Sequence, residues 1–416
     1  MGWTKGRKRN IMSVLAAALC FLLCVTAGCK KEEPEEPVEE GFCTEISVFD
    51  CQQGLSFCDK GMTRVEDDLI MFYEYETGRS YPLCSDAYCE HIPYDSRTNP
   101  DPVCEATLEE LRKACIHGDY VYTIQQTGIQ EITVQARNLM ESGYRLVAKL
   151  PYCQAYSPQG YNAIIGDKAY LLLAEIDNLK EDGISYSYTS NDLYTYLVEL
   201  DLKTGEYRTL FHIEGEEKYK ILETVYEDEG VYCRSYYEDI DHSEDFTQYK
   251  INEYREMLTY VAYDGTNTDE STKQVEIAAY FGEDMFPTLA TGISKYGAYF
   301  TNEDMTKVEC YLFDGKRETV FELPEGYTSL HISGISGDKM ILKLITPEKV
   351  SKTAGFDLTT GELLILNHPD DSNYHGVCDE GFMKFCEDEE GIYRELWTYR
   401  DIFSEDGTPI LTIKDW

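Results

Sequence analysis

The chain has 416 residues, 77 of them acidic and 37 basic, for a formal net charge of −40. A field of that sign repels nucleic acid and anionic lipid headgroups, which makes both poor partners for this chain. Only three tryptophans stand beside 34 tyrosines and 16 phenylalanines, and tyrosine is at home in strands that show one face to water.

At the N-terminus, Lys5, Arg7, Lys8 and Arg9 precede the apolar run Ile11–Val25. The run is shorter than the roughly 20 residues a spanning helix needs. The small-residue stretch "TAGC" follows it, so residues 1–28 read as a cleaved export signal. Ala27, Gly28 and Cys29 resemble the bacterial lipobox, although Thr26 stands where Leu is more usual. That resemblance implies a lipidated Cys29 and a protein anchored to the cell membrane on its extracytoplasmic face. A diacylglyceryl group carries two chains, each buried methylene adding about 0.8 kcal/mol. Residues 29–42 are then the lipidated cysteine and an acidic, proline-containing linker with almost no apolar residue, expected to be disordered.

Residues 43–416 carry a repeat. One element is a turn followed by an apolar strand: "VEDDLIMF" (65–72), "IHGDYVYTI" (116–124), "IIGDKAYLLL" (164–173), "YEDEGVYCRSY" (226–236), "ISKYGAYF" (293–300), "ISGDKMILKL" (335–344) and "VCDEGFMKF" (377–385). It alternates with a hairpin, as in "LVELDLKTGEYRTLF" (197–211) and "AGFDLTTGELLIL" (354–366). Each pair makes a small antiparallel sheet that cannot bury both faces alone, and radial stacking buries them against one another. The expected fold is therefore an all-β propeller of seven blades, six or eight being the neighbouring counts, at about 53 residues per unit. "CTEISVFD" (43–50) is expected to close the ring against the last blade. Helical periodicity is confined to "TLEELRKA" (107–114) and "INEYREMLTY" (251–260).

The signal with its Cys29, the acidic linker, the "TG" hairpins and the stretch "PLCSDAYCEH" (82–91) together resemble uncharacterised β-propeller lipoproteins of anaerobic Gram-positive bacteria. The resemblance covers essentially the whole chain. It implies a fold and an address, not an activity.

Cys84, Cys89, His91 and Cys104 form the one compact cluster of metal-binding residue types. Four residues separate the first two thiols, within the spacing of structural zinc sites. Thiolates and imidazole suit a closed tetrahedral zinc that pins a loop; the alternative is a disulfide among the thiols with a bystander histidine. Cys153, Cys233 and Cys310 sit alone in strand-like runs and read as small buried hydrophobes.

No nucleophile elbow, H-E-x-x-H, P-loop, dinucleotide fingerprint or complete EF-hand loop is present, and the seven histidines are scattered. No catalytic residue is assigned. Two insertions, 174–196 and 235–258, enlarge the third and fourth units and are rich in tyrosine and carboxylate. They are expected to be long loops, where binding often resides. Their candidate ligand-binding residues are Tyr186, Tyr188, Tyr236, Tyr237, Asp182, Asp239 and Asp241, a set suited to sugar rings or a cationic peptide. The reading is a monomeric, surface-tethered, non-enzymatic binder of a glycan, cell-wall fragment or protein. A propeller-type polysaccharide hydrolase or lyase and an envelope assembly scaffold are the alternatives.

Overall fold

A computed structural model describes residues 46–414 except 51–54, 59, 67, 108–111, 156–160, 178–179, 182–185, 188–191, 214–216, 243–248, 265–271, 282–287, 367–372, 377–380, 389–390 and 405–406. The signal, Cys29 and the linker lie outside these residues, as do Tyr188 and Asp182.

Strand β1 (Ile46–Asp50) comes first. Unit 1 is the meander β2 (Ser56–Cys58), β3 (Gly61–Glu66), β4 (Leu69–Glu74) and β5 (Ser80–Pro82). Unit 2 is β6 (Arg112–His117), β7 (Tyr120–Gly128), β8 (Glu131–Asn138) and β9 (Arg145–Leu150). A short β10 (Cys153–Gln154) leads to unit 3: β11 (Tyr161–Ile165), β12 (Lys168–Ile176), a two-stranded insertion β13 (Lys180–Glu181) and β14 (Tyr186–Ser187), then β15 (Leu193–Asp201) and β16 (Tyr207–Phe211). Unit 4 is β17 (Lys220–Tyr226), β18 (Gly230–His242), β19 (Tyr249–Ala262) and β20 (Thr272–Tyr280). Unit 5 runs β21 (Gly292–Ser294), β22 (Gly297–Thr301), β23 (Lys307–Tyr311), β24 (Arg317–Glu322). Unit 6 runs β25 (Ser329–Ser336), β26 (Lys339–Ile345), β27 (Ser351–Asp357), β28 (Leu363–Ile365). Unit 7 holds β29 (Asn373–Gly376), β30 (Gly381–Asp388), β31 (Gly391–Thr398), a single helical turn α1 (Tyr399–Ile402) and β32 (Leu411–Ile413).

The architecture is a β-propeller. Units 2, 4, 5, 6 and 7 are separate four-stranded sheets, while units 1 and 3 are fused into one ten-stranded sheet. Five free-standing blades thus replace the seven expected. The cause is β1, which pairs along its whole length with β11 of unit 3 and also with β2 of unit 1. An edge strand with unpaired N–H and C=O groups takes whatever ladder reaches it. The expectation that this segment closes the ring against the last blade is corrected accordingly.

The units pack through apolar clusters at their contacts. Ile70, Phe72, Ile116 and Val121 join units 1 and 2, and Leu258, Ile277, Ala298 and Phe300 join units 4 and 5. Val308, Phe321, Leu342 and Phe356 join units 5 and 6, and Ile341, Phe382 and Trp397 join units 6 and 7. The largest cluster puts Met383, Leu396 and Leu411 of unit 7 with Met62 and Tyr73 of unit 1 and Leu172 and Leu197 of unit 3. Polar latches tie the inner strands together across units. Thr63 Oγ1 donates to the Ala114 carbonyl (2.9 Å), the His117 ring meets the Gly166 carbonyl (3.0 Å), and Thr224 Oγ1 donates to the Tyr161 carbonyl (2.8 Å).

The repeated hairpin turn has a local cause. In "DLKTG", Asp201 Oδ1 accepts the N–H groups of Lys203 (3.0 Å) and Thr204 (2.9 Å), and the Gly205 N–H donates to the Asp201 carbonyl (2.8 Å). "DLTTG" repeats this at Asp357, Thr359, Thr360 and Gly361. Gly205 and Gly361 sit at φ 74° and 73°, the left-handed region that costs glycine nothing.

The helical expectation for 251–260 fails, since that segment lies wholly in β19; of the first segment, 108–111 lie outside the described residues and Arg112–Ala114 lies in β6. In the second, Tyr254, Glu256 and Leu258 all point inward. A buried glutamate at the middle position disguises the period of two.

Candidate functional site

The 83–107 connector between β5 and β6 gathers the cysteine–histidine cluster. Cys84 leaves β5 with its N–H on the Pro82 carbonyl (2.8 Å), and an Asp86 turn follows, closed by the Cys89 N–H on the Asp86 carbonyl (3.1 Å). His91 takes φ 50°, which aims its own N–H at Cys89 Sγ (3.4 Å). A second turn is built on Asp95, whose Oδ1 accepts from Arg97 N (2.9 Å) and Thr98 N (2.6 Å). Asn99 Nδ2 then donates to the Ile92 and Pro93 carbonyls (3.2 and 2.9 Å). The chain thereby doubles back and delivers Cys104, with Sγ 3.5 Å from His91 Nδ1.

One donor atom from each of Cys84, Cys89, His91 and Cys104 lies within 4.8 Å of the others. Cys104 is buried, and burial pushes its thiol up to about 11. Among the described residues the cysteines are free thiols, so no bridge links these three. The group can hold a metal ion. The solitary Cys153, Cys233 and Cys310 are buried in β10, β18 and β23, and burial raises each thiol, Cys310 to about 12.

Sequence reasoning missed what anchors this connector. Arg137 of β8, 2% exposed, donates from Nη2 to the Leu83 carbonyl (2.7 Å), and its Nη1 pairs with Glu105 (3.4 Å). Glu105 also accepts from Ser85 N (3.3 Å), Ser85 Oγ (2.6 Å) and Gly143 N (3.1 Å). Burial pushes the Glu105 carboxyl up, but these donors and Arg137 outweigh it and hold the group below the ordinary carboxylate range. Nothing in the regular pattern of β8 marks Arg137 as an anchor. Beside the connector lies a groove of about 720 Å³, whose lining includes Tyr81, Cys84, Arg137 and Met140.

The two insertions are less loop-like than expected. The first contains the β13–β14 ribbon, with Tyr186 in β14. The second is mostly strand: β18 and β19 pair from Gly230↔Ala262 out to His242↔Tyr249. Their neighbours stop earlier, β17 at Lys220↔Tyr236 and β20 at Tyr254↔Tyr280, so the end of the hairpin projects as two strands alone. Alternation splits the predicted residues between its faces. Asn252 Nδ2 bridges Asp239 Oδ2 (3.3 Å) and Asp241 Oδ2 (2.9 Å) on the face that carries Tyr237. Tyr236 is on the reverse, stacked on Tyr254 (centroids 6.0 Å) under Lys220 (5.3 Å), and burial pushes its hydroxyl up to about 12.

Tyr237 also belongs to an aromatic strip that sequence spacing did not reveal. Tyr207 meets Tyr152 (6.4 Å), Tyr152 meets Tyr196 (5.5 Å), and Tyr196 meets His212 (5.1 Å) and Tyr194 (6.5 Å). Lys218 lies over Tyr194 (4.6 Å) and pairs with Asp177 (3.0 Å), and the next residue, Tyr219, meets Tyr237 (5.7 Å). Arg255 covers the exposed Phe281 ring (5.5 Å) nearby and pairs with Glu217 (3.4 Å). Tyr207 is exposed and Tyr152, Tyr194, Tyr196 and Tyr237 are half-buried, whereas Tyr219 is buried, so the accessible rings lie on either side of it, flanked by carboxylates and able to hold sugar rings and their hydroxyls.

A buried ionic group lies between units 4 and 5. Glu223 accepts from Ile293 N (3.1 Å) and pairs with Arg234 (3.3 Å). Glu256 accepts from Tyr254 Oη (2.7 Å) and Ala290 N (3.4 Å). Burial raises the Glu223 carboxyl against the lowering effect of Arg234. Both carboxylates hold backbone N–H groups of the neighbouring unit, which makes the group a bolt between blades.

No family model and no curated protein matches the chain. Its backbone aligns with several solved structures. An acylaminoacyl peptidase in complex with Z-Gly-Gly-Phe-chloromethyl ketone aligns at 14% identity and TM-score 0.41 over 68% of this chain and 44% of that one. The β-propeller domain of the Trilobed protease from Pyrococcus furiosus aligns at 11% and 0.37, over 70% and 83%. An oligogalacturonate lyase in complex with manganese aligns at 12% and 0.39, over 70% and 72%. The chain thus spans less than half the length of the peptidase. Identities of this size concern architecture alone.

Proposed function

We propose that this chain is an exported lipoprotein, held to the extracytoplasmic face of the cell membrane through Cys29, whose propeller binds an extracellular ligand without transforming it. The observation that carries the binding reading is the Tyr207–Tyr152–Tyr196–Tyr194 strip continued through Lys218 and Tyr219 to Tyr237 on the projecting β18–β19 ribbon. A two-stranded ribbon is marginal on its own, so its length costs stability that binding would offset. Carboxylates at Asp177, Glu217, Asp239 and Asp241 border the strip. They disfavour anionic polysaccharides and suit neutral or amino sugars, including cell-wall fragments. A metal ion at Cys84, Cys89, His91 and Cys104 belongs to the same reading as a structural element of the scaffold.

The test is calorimetric titration of the full chain, in detergent, with neutral oligosaccharides, wall fragments and cationic peptides. Saturable heat with one sugar class supports the reading. Turnover of that sugar would replace it with a hydrolase or lyase, and binding to peptides alone would replace it with an assembly scaffold.

A further inference from the structure

We infer that Cys84, Cys89, His91 and Cys104 hold one zinc ion in a closed tetrahedral site, and that this ion closes the 83–107 connector on itself while the Arg137–Glu105 pair fastens it to unit 2. The inference rests on the metal reading above and assigns the ion and its task.

The donor set selects the ion. Three thiolates and one imidazole are soft and borderline ligands that suit zinc in tetrahedral geometry. With Zn–S near 2.3 Å and Zn–N near 2.0–2.1 Å, neighbouring donors in a tetrahedron stand about 3.5 Å (S to N) and about 3.8 Å (S to S) apart. The Cys104 Sγ to His91 Nδ1 distance is 3.5 Å, and all four donors fit within 4.8 Å. The His91 backbone N–H donates to Cys89 Sγ at 3.4 Å, a hydrogen bond that would stabilise the sulfur as a metal-bound thiolate. Protein ligands fill all four positions, so no site is left for substrate, and the ion is structural.

The connector needs such a fastening. Between Leu83 and Thr107 only those two residues, Cys104 and Ala106 are buried, whereas Tyr88 is 96% and Val103 is 93% exposed. Burial that small cannot offset the entropy of ordering a segment of this length. The two fastenings act at different places. Arg137 holds the roots, at Leu83 and Glu105. The four ligands tie 84–91 to 104, a span in which Cys104 alone is buried. Because Cys84 also lines the groove beside Tyr81 and Met140, the ion steadies one of its walls.

The experiment uses the full chain, purified without oxygen and without chelator. Elemental analysis should find one equivalent of zinc. Cobalt put in its place should show the intense visible absorption of a tetrahedral thiolate site. Cys89→Ser and Cys104→Ser should lose the metal, while Cys386→Ser keeps it. Hydrogen exchange with and without chelator should then speed up across 84–104 and stay unchanged across 137–144. Absence of metal, with a disulfide among the three thiols found by mass spectrometry, would overturn the metal reading and this inference with it. Iron at full occupancy would overturn the choice of zinc. Bound zinc whose removal leaves exchange at 84–104 unaltered would overturn the closure of the connector by the ion while the metal reading stands. If the cysteine variants do not fold, the cobalt spectrum of the unaltered chain decides the ligand set.

Discussion

Replacing Arg137 by methionine isolates the second fastening of the connector. Methionine keeps an apolar stem of similar reach in a site only 2% exposed, and removes the guanidinium. What is lost is the charge-assisted bond to the Leu83 carbonyl at 2.7 Å, a contribution of about 1.5–3 kcal/mol. The pair with Glu105 at 3.4 Å is lost too. Removing one partner of a buried pair typically costs about 3–5 kcal/mol. Glu105 sits at the milder end of that range, because its side chain is 16% exposed and still accepts from Ser85 and Gly143. The expected loss is about 3 kcal/mol, read as a lowered urea midpoint for the full metal-loaded chain. Glu105→Gln in the same background should recover part of that loss, with a coupling energy on the order of 1 kcal/mol or more. A loss under about 1 kcal/mol, or strict additivity of the two substitutions, would refute the claim that this pair holds the roots of the connector.

The Asp201 carboxyl, held to about 2 chiefly by the Thr204 N–H and then, against burial, by Lys168, has a folded value below its unfolded one. Its contribution is present above the ordinary carboxylate range near pH 4 and disappears as pH falls toward 2. Acid titration of stability should therefore show a smaller decline between pH 4 and 2 for Asp201→Asn than for the unaltered chain; parallel curves would discount the turn. At Gly355, an added Cβ would stand 2.3 Å from the Phe403 ring, so Gly355→Ala should lower stability by about 1–3 kcal/mol through overpacking. An unchanged melting temperature would mean that Phe403 does not pack on β27. Tyr236→Ala should weaken the hairpin through its lost stack on Tyr254 and leave ligand binding intact, because it faces away from Tyr237. Equal losses of binding from both tyrosines would contradict the division of the hairpin into two faces.

The turns were legible because their chemistry is local: an aspartate that accepts two N–H groups and a glycine in the left-handed region recur as the "DLKTG" and "DLTTG" strings. Strand-to-strand pairing is not local. The partner of β1 depends on which ladder edge reaches it, so its bond to β11 and the fusion of units 1 and 3 had no mark in residues 46–50. The helical reading of 251–260 followed an apparent helical periodicity that cross-strand pairing overrode, helped by Glu256 in an inward position. At the candidate sites, the cysteine–histidine cluster showed itself by spacing, and the structure brings its four donors together. Arg137 and Glu105 lie far apart in the chain and meet only after units 1 and 2 dock. The same holds for Tyr196 of β15 and for Tyr152 and Tyr219 in the segments just before β10 and β17, which come together only when the blades align.

The most direct test of the binding account is titration of the full chain, and of a Tyr196→Ala/Tyr237→Ala variant, with the oligosaccharide that gives the strongest heat. The unaltered chain should bind saturably, and the variant, still folded, with at least a tenfold weaker Kd, about 1.4 kcal/mol for the two rings together. Undiminished affinity in a folded variant would contradict it and move the ligand to another face of the propeller.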